Sequence, residues 1–153
     1  MSYVTKSTKW LADDVDRDVK ALIAGFYELA DLKSDDAGPR MASHIFSSDA
    51  VLVSPSGTFK GAQEISNSRA NAWTAITSRR HVITRVFSGH NSPRDMVLLG
   101  SVNMHLANGE TRDAAFSCHI KLAPQKDDVF GPRIGFMVVY PSPAPVPPVP
   151  FEE

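Results

Sequence analysis

Two runs of alternating residues, Asp95 to Leu106 and Thr111 to Leu122, meet at Ala107-Asn108-Gly109, and this feature restricts the fold more than any other. A three-residue loop that closes on a left-handed Gly is a favoured hairpin connection. It pairs Leu106 with Glu110, Met104 with Arg112, Val102 with Ala114, Gly100 with Phe116 and Leu98 with Cys118. One face then holds Met96, Leu98, Val102, Met104, Ala114, Phe116, Cys118 and Ile120, almost wholly apolar. The other carries Ser101, Asn103, His105, Asp113, Ala115, Ser117 and His119. A two-residue Asn-Gly turn would slip the pairing by one and mix the two faces. The apolar pattern therefore selects the longer loop.

Arg80 to Phe87 and Arg133 to Tyr140 read as two further strands, completing a meander of four. The first half of the chain is different. After Asp13 and Asp14, an acidic helix start, Val15, Val19, Leu22, Ile23, Phe26 and Ala30 recur at helical spacing. A break at 33–38 precedes Pro39, which can open a short second helix carrying Met41, Ile45 and Phe46. Ala50 to Ser54 and Thr58 to Lys60 form a short hairpin across Pro55-Ser56-Gly57. Gly61 starts a third helix, with Ile65, Arg69/Ala70, Trp73 and Ile76 on one face. Helices followed by long antiparallel strands indicate an α+β fold, three N-terminal helices packed on a curved antiparallel sheet. One domain over 14–140 is expected, between an arm at 1–13, anchored by Trp10 and Leu11, and a tail at 141–153. That tail holds six prolines, so it is expected as an extended strap outside the sheet.

Composition narrows the function classes. The formal net charge is −1 and the nearest approach to a basic patch is Arg79-Arg80, which gives nucleic-acid binding little electrostatic support. No apolar run approaches the roughly 20 residues of a membrane span. The opening Met-Ser-Tyr-Val-Thr-Lys lacks a signal peptide's apolar core, and Cys118 has no second cysteine to pair with, so a cytoplasmic setting is the expectation.

The candidate chemistry lies with the histidines. His81 begins a strand and His105 ends its neighbour, so the hairpin brings them near each other. Two imidazoles of ordinary pKa about 6.5 can serve as acid and base on successive steps. Asp113 and Asn103 lie opposite each other on the polar face beside His105, where a carboxylate could orient the imidazole. Small side chains at Ala115 and Ser117 leave room for a ligand on that face. Tyr27, beside Phe26 in the first helix, could donate to a carbonyl or oxyanion. Trp73 and Phe59 could form apolar walls, and Arg40 could bind a ligand acid. His44 and His90 read as surface residues. Each candidate also has a plainer reading as a packed or solvated side chain. The spacing of a zinc site, phosphate loops and dinucleotide fingerprints are absent, so no metal or cofactor is expected.

Four segments, Gly25-Phe-Tyr-Glu-Leu-Ala-Asp31, Ile45-Phe-Ser-Ser-Asp-Ala-Val-Leu-Val53, Gly61-Ala-Gln-Glu-Ile65 and Ser78-Arg-Arg-His-Val-Ile-Thr84, resemble fungal SnoaL-like proteins of the nuclear-transport-factor-2-like superfamily. The resemblance implies a cone-shaped fold with one small-molecule pocket, which commonly dimerises through its sheet. More distantly the chain is similar to scytalone dehydratase, whose paired pocket histidines correspond to His81 and His105. The Tyr and Asp that the dehydratase keeps after its first helix find no match at Lys33 and Ser34. The resemblance implies a cofactor-independent lyase or isomerase, dehydratase- or cyclase-like, acting on a hydrophobic oxygenated molecule such as a secondary-metabolite intermediate. The same fold also serves non-catalytic carriers and docking modules.

Overall fold

A computed structural model of the chain describes residues 1–11, 15–89, 92–127 and 129–143. The helix start read at Asp13-Asp14, His90 and the tail from residue 144 lie outside the described residues. Helix α1 spans Arg17–Asp31. Asp16 caps it, its carboxylate accepting from the Asp18 amide at 3.1 Å and so satisfying one of the donors left over at a helix start. The stripe Val19, Leu22, Ile23, Phe26 and Ala30 is buried, as its periodicity requires. Helix α2, Ala37–Arg40, runs on into a π turn at Met41–Ile45.

Helix α3 is shorter than its periodicity suggests, covering Gly61–Asn67. The face read onward through Arg69, Trp73 and Ile76 is not helical. The Ser68 hydroxyl donates to the Ile65 carbonyl at 2.7 Å, competing with the backbone for a helical acceptor. Arg69 then reaches across to the Ala30 carbonyl at 2.6 Å, and Ile76 opens a strand.

The strands are β1 (Lys9–Leu11), β2 (Phe46–Ser54), β3 (Gly57–Lys60), β4 (Ile76–Gly89), β5 (Ser92–Leu106), β6 (Thr111–Leu122) and β7 (Ile134–Pro141). They form one sheet in the order β1-β4-β5-β6-β7-β2-β3. The four long strands are antiparallel, as expected. At the sides, however, β1 runs parallel to β4 and β2 parallel to β7, so the sheet is mixed. Register shifts interrupt β4–β5 pairing between Ile76 and Ser78, Ile83 and Arg85, and Ser88 and Gly89. Such irregularities bend strands, and they let the sheet curl around the helices.

The β5–β6 register is the one derived from the pattern. Gly100 lies opposite Phe116 and Val102 opposite Ala114. The loop closes by a 2.8 Å bond from the Leu106 amide to the Glu110 carbonyl, with Gly109 at φ +88°. The glycine at 100 has a steric reason as well. A Cβ there would stand 2.6 Å from Phe116 Cζ and 2.8 Å from the Val82 carbonyl oxygen. Gly100→Ala is therefore expected to destabilise the fold by about 1–3 kcal/mol, the usual cost of overpacking. A melting temperature unchanged from the parent would show that the ring and strand are not so closely opposed.

The arm does not stand apart. Val4 is fully buried, its carbonyl accepts from the Ile83 amide at 2.9 Å, and the Thr8 hydroxyl donates to the Ile83 carbonyl at 2.7 Å. Together with β1 this ties residues 3–11 to β4. Among the described residues no helix is long and apolar enough to cross a membrane.

Candidate active site

The curved sheet and the helices enclose a cavity of about 560 Å³. It opens against the apolar face of β5 and β6, through Val102, Met104, Ala114 and Phe116, with Phe26 and Phe59 on other walls. From sequence the pocket is expected on the polar face of that hairpin, of which only Ala115 lines the cavity. Apolar residues win the enclosed side because burying them is favourable, whereas polar ones would each need a partner there.

Strand parity decides which histidine faces the cavity. His81 pairs with Val102 and so shares its inner face. His105 pairs with Ser78 and Thr111, is exposed, and belongs to the opposite face with Asn103. The two imidazoles are therefore not brought together. Asp113 is likewise outside, accepting from the Asn103 amide at 2.8 Å, and Ser117 sits on that face between Leu99 and Tyr140. Arg40 is exposed and faces Asp36 at 3.8 Å. Trp73 stands behind Arg79, whose guanidinium carbon lies 4.4 Å from the ring centroid. Of the sequence candidates, His81, Tyr27, Phe59 and the small Ala115 line the cavity.

His81 has an acidic partner after all. Asp31 Oδ1 lies 2.5 Å from His81 Nδ1, while Asp31 Oδ2 accepts from the His81 amide and from the Tyr3 hydroxyl, each at 2.8 Å. The side chains are 15% and 6% exposed for His81 and Asp31. Asp31 ends α1, where the helix's partial negative charge disfavours a carboxylate. Three donors hold it there, two of them from His81. With Nδ1 engaged, His81 Nε2 has no protein hydrogen-bond partner among the described residues and is left for the cavity. Burial, and then the bond to Asp31, raise the Tyr3 phenol well above its ordinary pKa, so it stays a donor.

Tyr27 packs 5.2 Å from the His81 ring and 5.7 Å from Phe116, centroid to centroid. Its ring is wall. Its hydroxyl is buried against the Cys118 thiol and makes no geometrically formed hydrogen bond to an oxygen or nitrogen; burial first, and then the thiol, push its pKa up. The Cys118 thiol is pushed up to about 12 by burial, which leaves it a packing residue. The cavity wall also carries two cations that sequence reasoning did not assign, Arg69 and Arg79. One available signal was the parity of Arg79 with His81. For Asp31 it was an acid at the end of an apolar helix. Tyr3 left none.

No protein-family model matches this sequence, and no curated protein does. Solved structures do match. A type 2 hexachlorocyclohexane dehydrochlorinase (LinA) superposes with a TM-score of 0.65 at 15% identity, covering 89% of this chain and 91% of that one. A putative scytalone dehydratase from Novosphingobium aromaticivorans gives 0.64 at 9% identity, covering 82% and 83%. Nuclear transport factor 2 from Cryptosporidium parvum gives 0.61 at 19%, covering 89% and 100%. The fold is thus the nuclear-transport-factor-2-like one, and its structural neighbours include enzymes and a transport factor.

Proposed function

We propose that this chain of nuclear-transport-factor-2-like fold is a cofactor-independent lyase or isomerase of the SnoaL-like kind, acting on a hydrophobic oxygenated small molecule. The observation that carries the reading is the His81–Asp31 pair at 2.5 Å on the wall of an otherwise largely apolar cavity. Asp31 holds the proton on Nδ1, so Nε2 presents its lone pair as a base. That nitrogen takes a proton from a carbon next to a carbonyl. The released electron pair forms the carbon–carbon double bond as a leaving group departs from the adjacent carbon. The imidazolium, stabilised by Asp31, then gives its proton to the departing oxygen, so hydroxide leaves as water. Return of the proton to a different carbon gives an isomerase instead. Phe59 supplies apolar wall, and Tyr27 holds the imidazole plane by ring contact. The names of the dehydrochlorinase and dehydratase neighbours are in keeping with elimination chemistry.

The test uses aryl-substituted β-hydroxy ketones in deuterated water, followed by proton NMR. The parent is expected to exchange or eliminate the acidic C–H, and His81→Asn is not. Binding of the ketones with no exchange in the parent would leave the carrier reading of the same pocket.

A homodimer through the outer face of the sheet belongs to this proposal. That face carries the cross-strand row Phe87, Val97, His119 and Val138, with Val97 43% and Phe87 39% exposed. Light scattering is expected to give twice the chain mass at micromolar concentration and the single mass for Val97→Asp. A parent of single mass would rule the dimer out.

A further inference from the structure

Arg79 and His81 are two residues apart on β4, opposite Met104 and Val102, so both point to the inner face. That spacing along a strand is about 6.6 Å. Arg69 approaches from the turn after α3 and is fixed to α1 by its 2.6 Å bond to the Ala30 carbonyl, one residue before Asp31. Arg79 is fixed in the same way, by a bond to the Ala72 carbonyl and by the Trp73 ring. Neither guanidinium has a carboxylate partner among the described residues, and the Nε of each is buried with no hydrogen-bond partner. Each is a half-buried cation held by a carbonyl dipole, Arg79 by an aromatic face as well, with its Nε donor unspent. Burial and the like charge of Arg79 bring Arg69 down to about 10. The carboxylate whose field reaches both is Asp31, and its oxygens are already taken by His81 and Tyr3.

We propose that Arg69 and Arg79 form an anion subsite in the cavity wall, and that the pocket takes a carboxylate carried on an apolar body. A carboxylate matches the planar fork of a guanidinium, and the apolar walls Phe26, Phe59, Val102 and Phe116 suit an apolar body attached to it. A group held at Arg79 would set the carbon two or three bonds away beside His81 Nε2. The inference deepens the lyase or isomerase reading and rests on it only for the place of the reacting carbon.

The experiment is calorimetric titration of the full chain with 2-naphthylacetate and with 2-naphthylacetamide, which differ in charge and little in shape. The parent is expected to bind the acid about 10–100-fold tighter than the amide, the scale of hydrogen bonds to a charged group. Arg79→Gln and Arg69→Gln are each expected to erase most of that preference, while His105→Ala, on the outer face, keeps it. Equal affinities in the parent, no binding of the acid at about millimolar concentration, or a preference that survives both arginine changes would overturn the subsite. Displacement of the acid by an equal concentration of inorganic phosphate would overturn the carboxylate assignment. Should one arginine variant not fold, the acid-to-amide ratio in the parent still decides. Acid selectivity in a protein that exchanges no C–H sinks the lyase reading alone. Elimination of neutral ketones without acid selectivity sinks this one alone.

Discussion

Asp31→Asn is expected to lower kcat/KM by roughly 10²–10⁴-fold, the scale on which a misoriented or wrongly protonated catalytic histidine acts. The fold should survive, because an amide has nearly the carboxylate's shape and its oxygen can still accept from the His81 backbone or from Tyr3. The chemistry should not. If its NH₂ group faces His81 Nδ1, the proton is driven to Nε2 and the cavity loses its base. His81→Asn should cost a similar amount, and the double variant little more, because the two residues act as one unit. His105→Ala is the contrast. Read from sequence it was the second acid or base. Placed on the outer face, it should leave kcat/KM at the parent value. Melting curves on the same preparations separate loss of chemistry from loss of fold. A His105→Ala loss matching that of His81→Asn, with both proteins folded, would displace the dyad from its role.

Removal of residues 1–8 is expected to destabilise the fold by roughly 3–5 kcal/mol, summing a buried Val with two or three hydrogen bonds. For a chain of this length that is a fall of about 10 °C or more in Tm. The parts are specific: Val4 fully buried, its carbonyl on the Ile83 amide, the Thr8 hydroxyl on the Ile83 carbonyl, and Tyr3 on Asp31. The Arg80 guanidinium carbon also stands 3.9 Å from the Tyr3 ring centroid. Tyr3→Phe isolates the last bond. It should cost about 1 kcal/mol of stability and lower kcat more than it raises KM, since it touches Asp31 and not the cavity. Truncation that leaves Tm unchanged would show the arm to be an appendage.

The β5–β6 hairpin was legible because its information is local. Ala107-Asn108-Gly109 sets the loop, and alternation on either side sets which residues face inward. α1 was legible for the same reason, its apolar stripe repeating every turn. The third helix was misread past Asn67 because a helical period cannot register that Ser68 bonds backward and Arg69 reaches Ala30. The candidate site fared worse. His81 and His105 were joined by nearness along a hairpin, yet nearness does not fix side.

What the sequence by itself determined was the α+β order, the β5–β6 register and the histidine at 81 as a candidate. Tertiary structure alone decided that His81 faces in and His105 out, because that depends on the β4–β5 register and its bulges. It alone joined Asp31 to His81 and Tyr3, contacts spanning 50 and 28 residues of sequence. No local pattern encodes such partners. They meet because the arm, the end of α1 and the start of β4 converge once the sheet has curled around the core.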